Sequence, residues 1–583
     1  MLRKLVICAV LAAVAAVAAA PAQAQSRVLL MPGVTYERQV QFTSHGPVAV
    51  HVLTAPRPGG AYSLKPVLSN GAIVGRDRVT SMQRGIRDAT SAGVNGDLFT
   101  WADGRPSGML MQAGVLQHPP LPDRSSLGIA ADGSLRVARI RMFGTWRGTG
   151  QRRPLDLNES PSPNGISLFT PAWGPATPVQ PGSVEAVLSP LPPTTPNVDL
   201  TGPVVQLAQG GNTPIPSGGA VLVARGTAAQ RLVEEGPVGT TVTIRLLLNP
   251  DTTGLTDAIG GGPALVRDGK PIFRANEAFS TDQLARNPRT GVGQLPDGRI
   301  LFVVVDGRQP GYSVGMTNFE LAQTLARLGA VTATGLDAGG SSTMAFDGTL
   351  LNRPSDPGGE RPVAEGLFVL YTGVTVAPPS EPVLSPNGDG AHDVEALSYA
   401  LVRSSTVTVS LIGPDKVARV LDQGAKGPGV YRFSWDGTTA DGAPAAEGQW
   451  RLSAAATDDT GQSTTADRFF SLDRTLGALA VSPAFVRIGN GGRLRASFSL
   501  TRPARVTATL RSRTGAVVAT ITRAVPRGAG AQTLTWNGRV GRRYVPSARY
   551  VVRIRAVSGV GAAELDAPVT LRRVAPPPKR KRS

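Results

Sequence analysis

A chain of 583 residues, 41% of them hydrophobic, is longer than one hydrophobic core usually organises, so about three domains are expected. Its formal charge of +19 comes almost wholly from arginines that run the length of the chain rather than gathering on one helix. Without a clustered patch or a reading motif this argues against nucleic-acid binding and favours anionic wall polymers, phosphate-bearing glycans or lipid surfaces as partners.

The chain opens with Arg3 and Lys4, an apolar run from Leu5 to Ala20, and the small-residue segment Ala22 to Ala24. This pattern predicts an export signal over 1–24, cleaved before Gln25, and places the protein in an extracellular or wall-associated setting. The run is short for a membrane span and meets Pro21 at once. The single cysteine, Cys8, lies inside it, so the remaining roughly 560 residues are expected to carry no disulfide and no thiolate metal site.

Short Val, Leu, Ile and Thr runs bounded by NG, DG and GG turns predict a β-rich α+β first domain over 27–373, with a mixed sheet and few helices. Ala92 to Val94 reads as a strand leading into a turn at Asn95 and Asp97. The proline-rich stretch from Pro154 to Pro216 is weakly periodic and reads as long loops decorating this domain, with strand-like pieces at Gly165 to Thr170 and, just beyond, Ala220 to Ala224. Ile300 to Val305 is an unbroken apolar run, expected to be a buried central strand that delivers Asp306 to a turn. Phe319, Ala322, Leu325, Ala326 and Leu328 share one helical face, and Thr317 with Glu320 fits a capping box, which predicts a helix over 317–328. A second strand then brings Asp337 to a glycine-rich loop.

After a proline-containing junction at 376–382, two units of about a hundred residues follow, at 380–473 and 478–573. Each carries a tryptophan in a matched segment, SWDG around Trp435 and TWNG around Trp536, then a loop and an aromatic-bearing strand. That size and alternation predict two all-β Ig-like sandwiches. They resemble the Ig-like domain of flagellar hook-capping proteins. Residues 574–583 read as a basic disordered end.

The segments VNGDLF (94–99), GGGPALVRDGK (260–270), NPRT (287–290), DGRQ (306–309), DAGGSST (337–343) and NRPSD (352–356) occur in that order. Together they resemble the phosphodiester glycosidase family, and the likeness covers most of 27–373. It implies hydrolysis of a glycosyl phosphodiester or related glycosidic bond. Ala338 stands where that family commonly has a glycine, and is expected to adopt an ordinary conformation; Gly335 stands where an asparagine is common.

Such hydrolysis needs carboxylates for an oxocarbenium-like centre and anion donors for a leaving phosphate. Asp306, Glu320 and Asp337 are the candidate catalytic carboxylates. Arg289, Arg308, Arg361 and the amides of Gly339, Gly340, Ser341 and Ser342 are candidate donors. The resemblance adds Asn95, Asp97, Thr290 and Arg353 to the substrate-binding set. Duller roles compete: a turn for Asp306, a helix cap for Glu320. The four histidines, His45, His51, His118 and His392, are all distant in sequence from Ser341 and Ser342, which argues against a Ser and His hydrolase. No cofactor is implied beyond a structural calcium, for which Asn387, Asp389 and Asp393 are candidates, with an Asx turn as the alternative. The rival to the enzyme reading is a non-catalytic glycan- or phosphate-binding envelope protein.

Overall fold

The computed structural model describes residues 27–574 except 273–275 and 389–391. The expected export signal, the basic end beyond Val574, and Asp389 lie outside the described residues. Among the described residues, no helix is long and apolar enough to cross a membrane.

The first domain is built on an eight-stranded sheet. From edge to edge it runs Val28–Met31, Val34–Thr43, Gly46–Ala55, Ile300–Val305, Arg289–Gln294, Thr332–Gly335, Ala264–Arg267 and Lys270–Pro271. Ile300–Val305 is central, as its composition predicts, but antiparallel to both neighbours. Its unbroken apolar run follows from cover on both faces rather than from parallel pairing. Ile300, Phe302 and Val304 face one core shared with Val94 and Leu367; Leu301, Val303 and Val305 face another, capped by Leu321, Ala322 and Leu325 of the helix Asn318–Arg327. That helix opens with both halves of the capping box, Thr317 and Glu320, in place.

A five-stranded sheet, Thr349–Leu350, Met344–Phe346, Thr90–Asn95, Glu365–Tyr371 and Tyr62–Leu68, packs across the first core. A further five-stranded sheet, centred on Leu255–Ile259 and Ser125–Ala130, adds Leu127, Ile129 and Ile259 to it.

The proline-rich middle is not a set of long loops. Arg153–Pro154, Asp156–Leu157, Ile166–Phe169, Val184–Leu188 and Asp199–Gln209 join Arg141–Arg147, Ala220–Ala224 and Thr241–Asn249 in a second eight-stranded sheet. This sheet and the helix Thr227–Glu235 enclose a core around Trp146, Leu168, Leu222 and Leu246. Ile166–Phe169 and Ala220–Ala224 are the strand-like pieces the sequence shows. The two-residue strands beside them are too short to show a period, and Asp199–Gln209, although 11 residues long, is interrupted by Gly202 and Pro203. The only parallel pair described within the first domain's sheets is Asp156–Leu157 with Ile166–Phe169.

Both C-terminal units are sandwiches of one design. The first sets Thr375–Val376, Glu395–Leu401 and Gly429–Trp435 against Val383–Leu384, Ser463–Leu472, Gly448–Asp458, Ser405–Ile412 and Ala418–Lys426. The second repeats this order with Leu476–Ser482, Leu494–Leu500 and Gly530–Trp536 against Phe485–Ile488, Ala562–Arg573, Ala548–Val557, Ala504–Arg511 and Val517–Arg527. The matched tryptophans end equivalent strands. Each indole N–H donates to the carbonyl three residues on, Thr438 at 2.8 Å and Arg539 at 3.1 Å, and so closes the turn. Arg468 of the first sandwich ties back to the Leu29 carbonyl at 3.0 Å.

Candidate active site

Strand register brings the motifs to one end of the central sheet. Arg289 pairs with Val305, and Gly291 with Gly335, so Asp306, Arg289 and Asp337 emerge together. Strand Thr90–Asn95 ends beside them: the Asp337 N–H donates to the Gly96 carbonyl at 3.0 Å. Asn95 acts as a strut. Its Nδ2 donates to the Asp337 carbonyl at 2.9 Å, while its Oδ1 accepts from Thr290 Oγ1 at 2.8 Å and the Thr343 N–H at 3.1 Å.

The result is a crevice floored by Asp337, Thr290 and Gly339 and walled by Arg289, Arg308 and Phe279. Asp337 is nearly buried, and its Oδ1 accepts the Ala338 N–H at 2.8 Å. Burial pushes its carboxyl up to about 6, against the pull of the Ser341 hydroxyl, the Ala338 N–H and the charges of Arg361 and Arg124. Asp97 lies close behind, fully buried, with neither carboxylate oxygen hydrogen-bonded. Two glycines make its space: a Cβ at Gly260 would stand 2.2 Å from its Oδ2, and one at Gly108 2.5 Å. Burial pushes Asp97 up to about 7, opposed by the nearby Leu98 amide and Arg124 and reinforced by Asp337.

A third carboxyl completes the cluster. Glu365 is wholly buried, its Oε1 accepts a long 3.4 Å bond from the Asp97 N–H, and its Oε2 has no partner. Burial holds it well above the ordinary carboxylate range, with the Asp97 charge adding to the rise. At neutral pH an Asp337 carboxyl near 6 is chiefly ionised and an Asp97 carboxyl near 7 is divided between its two forms, while burial holds Glu365 toward the neutral form. The motifs pass over Glu365, yet a lone carboxylate in the apolar strand Glu365–Tyr371 is a signal the sequence does carry.

The donors divide into those that face the crevice and those that support it. Arg308, at φ 57°, is anchored by Nε to Asn287 Oδ1 at 3.0 Å. Its guanidinium lies on the loop where Gly339, at φ 70°, leaves room; a Cβ there would meet Nη2 at 2.9 Å. Arg289 lines the wall, but Nε, Nη1 and Nη2 donate to the carbonyls of Met316, Gln283 and Ala285, so much of its fork holds backbone in place. Arg361 is bidentate to Asp356 at 2.7 and 2.9 Å and reaches Ser341 Oγ at 3.3 Å. It also stacks 5.3 Å from the ring centroid of Trp101, which is exposed beside Phe99. Neither Trp101 nor Arg124, whose charge reaches both Asp97 and Asp337, stood out in the sequence.

Several expected roles shift. Asp306 does not border the crevice. It is buried behind it, and its carboxylate accepts from His51 Nε2, Tyr312 Oη and Asn352 Nδ2, each at 2.9 Å, and from the Arg353 N–H at 3.1 Å. The fold thus brings a distant histidine to an acid, although to Asp306 and not to a serine. Arg353 lays its guanidinium over Tyr312 at 5.1 Å from the centroid. Glu320 takes the capping role: its Oε2 accepts the Thr317 N–H at 2.8 Å, and its Oε1 pairs with Arg286 at 2.6 Å. Burial works against the charge of Glu320, but these bonds outweigh it and hold the carboxyl below its ordinary range.

The glycine loop is only partly a nest. The Gly339 N–H donates to the Pro288 carbonyl and the Ser342 N–H to the Gly339 carbonyl, because 339–341 forms a 3-10 turn. Gly340 sits against the Asp356 and Arg361 side chains, and the buried Ser342 Oγ has no partner. Ala338 is extended, at φ −118°, as a residue with a Cβ should be.

At the sandwich entrance, Asp393 Oδ1 accepts the N–H groups of Asn387 and Gly388 at 2.9 and 3.0 Å, an Asx-type clasp. Asn387 Nδ2 donates to the Leu476 carbonyl at 3.0 Å. Among the described residues no group of three His, Cys, Asp or Glu is arranged to hold a metal ion.

Known proteins share these features in parts. Residues 197–370 match the phosphodiester glycosidase family, and residues 399–460 the FlgD Ig-like domain. Over 118 residues, 20% of this chain, the sequence is 35% identical to the SPbeta prophage-derived uncharacterized protein YomE of Bacillus subtilis (strain 168), covering 18% of that protein. Over 103 residues, 16% of this chain, it is 29% identical to N-acetylglucosamine-1-phosphodiester alpha-N-acetylglucosaminidase of Mus musculus, covering 20% of it. The matches thus span about a fifth of either relative. A crystal structure of a hypothetical protein from Synechocystis has the same fold over 60% of this chain and 64% of its own, at 25% identity and a TM-score of 0.51. The segment that carries Arg289, Arg308, Asp337 and Glu365 is accordingly the one that matches the phosphodiester glycosidase family, followed by one that matches the FlgD Ig-like domain.

Proposed function

We propose that this protein is an exported hydrolase that cleaves a glycosyl phosphodiester, or a related glycosidic bond, in an extracellular or cell-envelope glycan. The observation that carries this reading is the meeting of Asp337 and Arg308 in one crevice, with the carboxyls of Asp97 and Glu365 buried behind it. Asp337 acts as base on the water that attacks the anomeric carbon, or as nucleophile there, forming a glycosyl ester whose bond to carbon water then breaks. The bond from that carbon to the phosphate oxygen breaks, and the electron pair leaves on the phosphate beside the Arg308 guanidinium. Water supplies the new oxygen, and its proton passes to the carboxylate. A phosphate monoester is a good leaving group, so a strong acid at that oxygen is dispensable. Asp97 and Glu365 fill the region behind Asp337, and the burial they share with it holds its basicity up. The export signal expected over 1–24 supports the envelope setting.

The test is release of free sugar from nucleotide sugars and sugar 1-phosphate esters, with p-nitrophenyl glycosides beside them. Wild type should turn over, and Asp337→Asn should lose at least ~100-fold in kcat, the scale of a positioned base. Binding across such a panel without turnover by wild type would instead support a glycan-binding envelope protein.

A further inference from the structure

Arginines do run the length of the chain, but acidic residues do not. Residues 478–573 hold 17 arginines and no lysine against only Glu564 and Asp566, a net charge of +15. Residues 574–583 add four more cations, so the first 477 residues sum to zero. The first sandwich, of the same strand order, holds 7 basic and 13 acidic residues over 380–473, a net charge of −6. Neither the fold nor a general compositional bias therefore requires the charge of the second.

These arginines are placed outward. Among the described residues only Arg502, Arg553 and Arg555 of the 17 form salt bridges. On the outer face of the five-stranded sheet, Arg487 stands directly opposite Arg572 across a parallel pair. Thr570, two residues from Arg572, faces Arg549 on the next strand. Like charges set opposite one another destabilise a sheet, so this arrangement costs the free protein stability. Glu564 and Asp566 hold Arg553 and Arg555 at one end of these strands. At the other end, where alternate residues and neighbouring strands stand roughly 5–7 Å apart, Arg487, Arg572 and Arg549 present three guanidinium forks within reach of successive charges on an extended polymer. Guanidinium matches phosphate bidentately, which lysine does not.

We propose that the second sandwich is a binding module for a linear phosphodiester polymer of the cell envelope, which it holds through the arginine face of the Phe485–Ile488, Ala562–Arg573 and Ala548–Val557 strands. The choice of a phosphate-bearing glycan over another polyanion rests on the glycosidase reading; the binding itself does not.

The experiment uses the mature full-length chain and immobilised poly(glycerol phosphate), with polygalacturonate and duplex DNA at equal charge as competitors. Wild type should bind the phosphate polymer most tightly. The exposed triple variant Arg487→Gln, Arg549→Gln, Arg572→Gln should bind at least ~10-fold more weakly, with the salt dependence shallower by about two to three ion equivalents. The matching Arg→Lys triple should recover only part of this. Asp337→Asn should bind like wild type, which separates loss of turnover from loss of binding. Undiminished binding by the Gln triple, or no binding by wild type, overturns the proposal. Tighter capture of DNA than of poly(glycerol phosphate) overturns the assigned partner.

Discussion

The acids around Asp337 and the arginines of the second sandwich show how one quantity, charge, behaves in opposite surroundings. Asp97, Asp337 and Glu365 are buried together, and the low-dielectric interior answers by raising their carboxyls toward the neutral form. Arg487, Arg549 and Arg572 are exposed and act through water and salt. Buried charges are few, depend on particular partners and are sensitive to pH. Exposed charges are many, nearly interchangeable and sensitive to ionic strength.

The contrast should break first at Asp306, the buried acid with the fullest set of partners. Asp306→Ala should destabilise the first domain by about 3–5 kcal/mol, because His51, Tyr312, Asn352 and the Arg353 amide lose their shared acceptor. Denaturant unfolding measures it, and a cost below about 1 kcal/mol would show that the network is dispensable.

Asp97 tests the pH arm. Its carboxyl ordinarily sits at 3.8 and is raised to about 7 in the folded protein. The folded state holds that proton longer than the unfolded chain, so the contribution is fully present below about 4 and lost as pH rises through about 7, about 4 kcal/mol in all. Asp97→Asn should therefore gain stability relative to wild type between pH 4 and pH 8. An equal difference at both ends would mean that Asp97 does not titrate in that window.

Glu320, partly exposed, falls between the two regimes. Glu320→Ala should cost about 1 kcal/mol through the lost cap and Arg286 pair, and leave turnover within about twofold. A large fall in kcat at unchanged stability would return Glu320 to the chemistry. Smallest of all, the Arg487, Arg549 and Arg572 triple change to Gln should move stability by no more than about 0.5 kcal/mol per site, upward at low salt, as Tm at two ionic strengths would reveal. A loss of several kcal/mol would make those arginines structural.

Much of this was legible in residue order. The run Ile300–Val305, the Thr317 and Glu320 box and the paired tryptophan turns each carry their structure locally, through burial pattern, capping and a short indole bond. The ordered motifs likewise marked Asn95, Asp97, Arg308 and Asp337 as neighbours. The sequence could not separate members of a motif that face the crevice from those that support it: Asp306 and Asp337 both follow strands, and only the packing of His51 and Asn352 around the first turns it away. It marked Gly165 to Thr170 and Ala220 to Ala224 as strand-like, and these pair; it could not register Val184–Leu188 or Asp199–Gln209, whose partners lie tens of residues off. Local order thus determined which elements form and which residues share a motif, because propensity and capping act over a few residues. Tertiary structure alone decided which carboxyls are dry and unpaired, because burial is set by side chains from strands far apart in the chain.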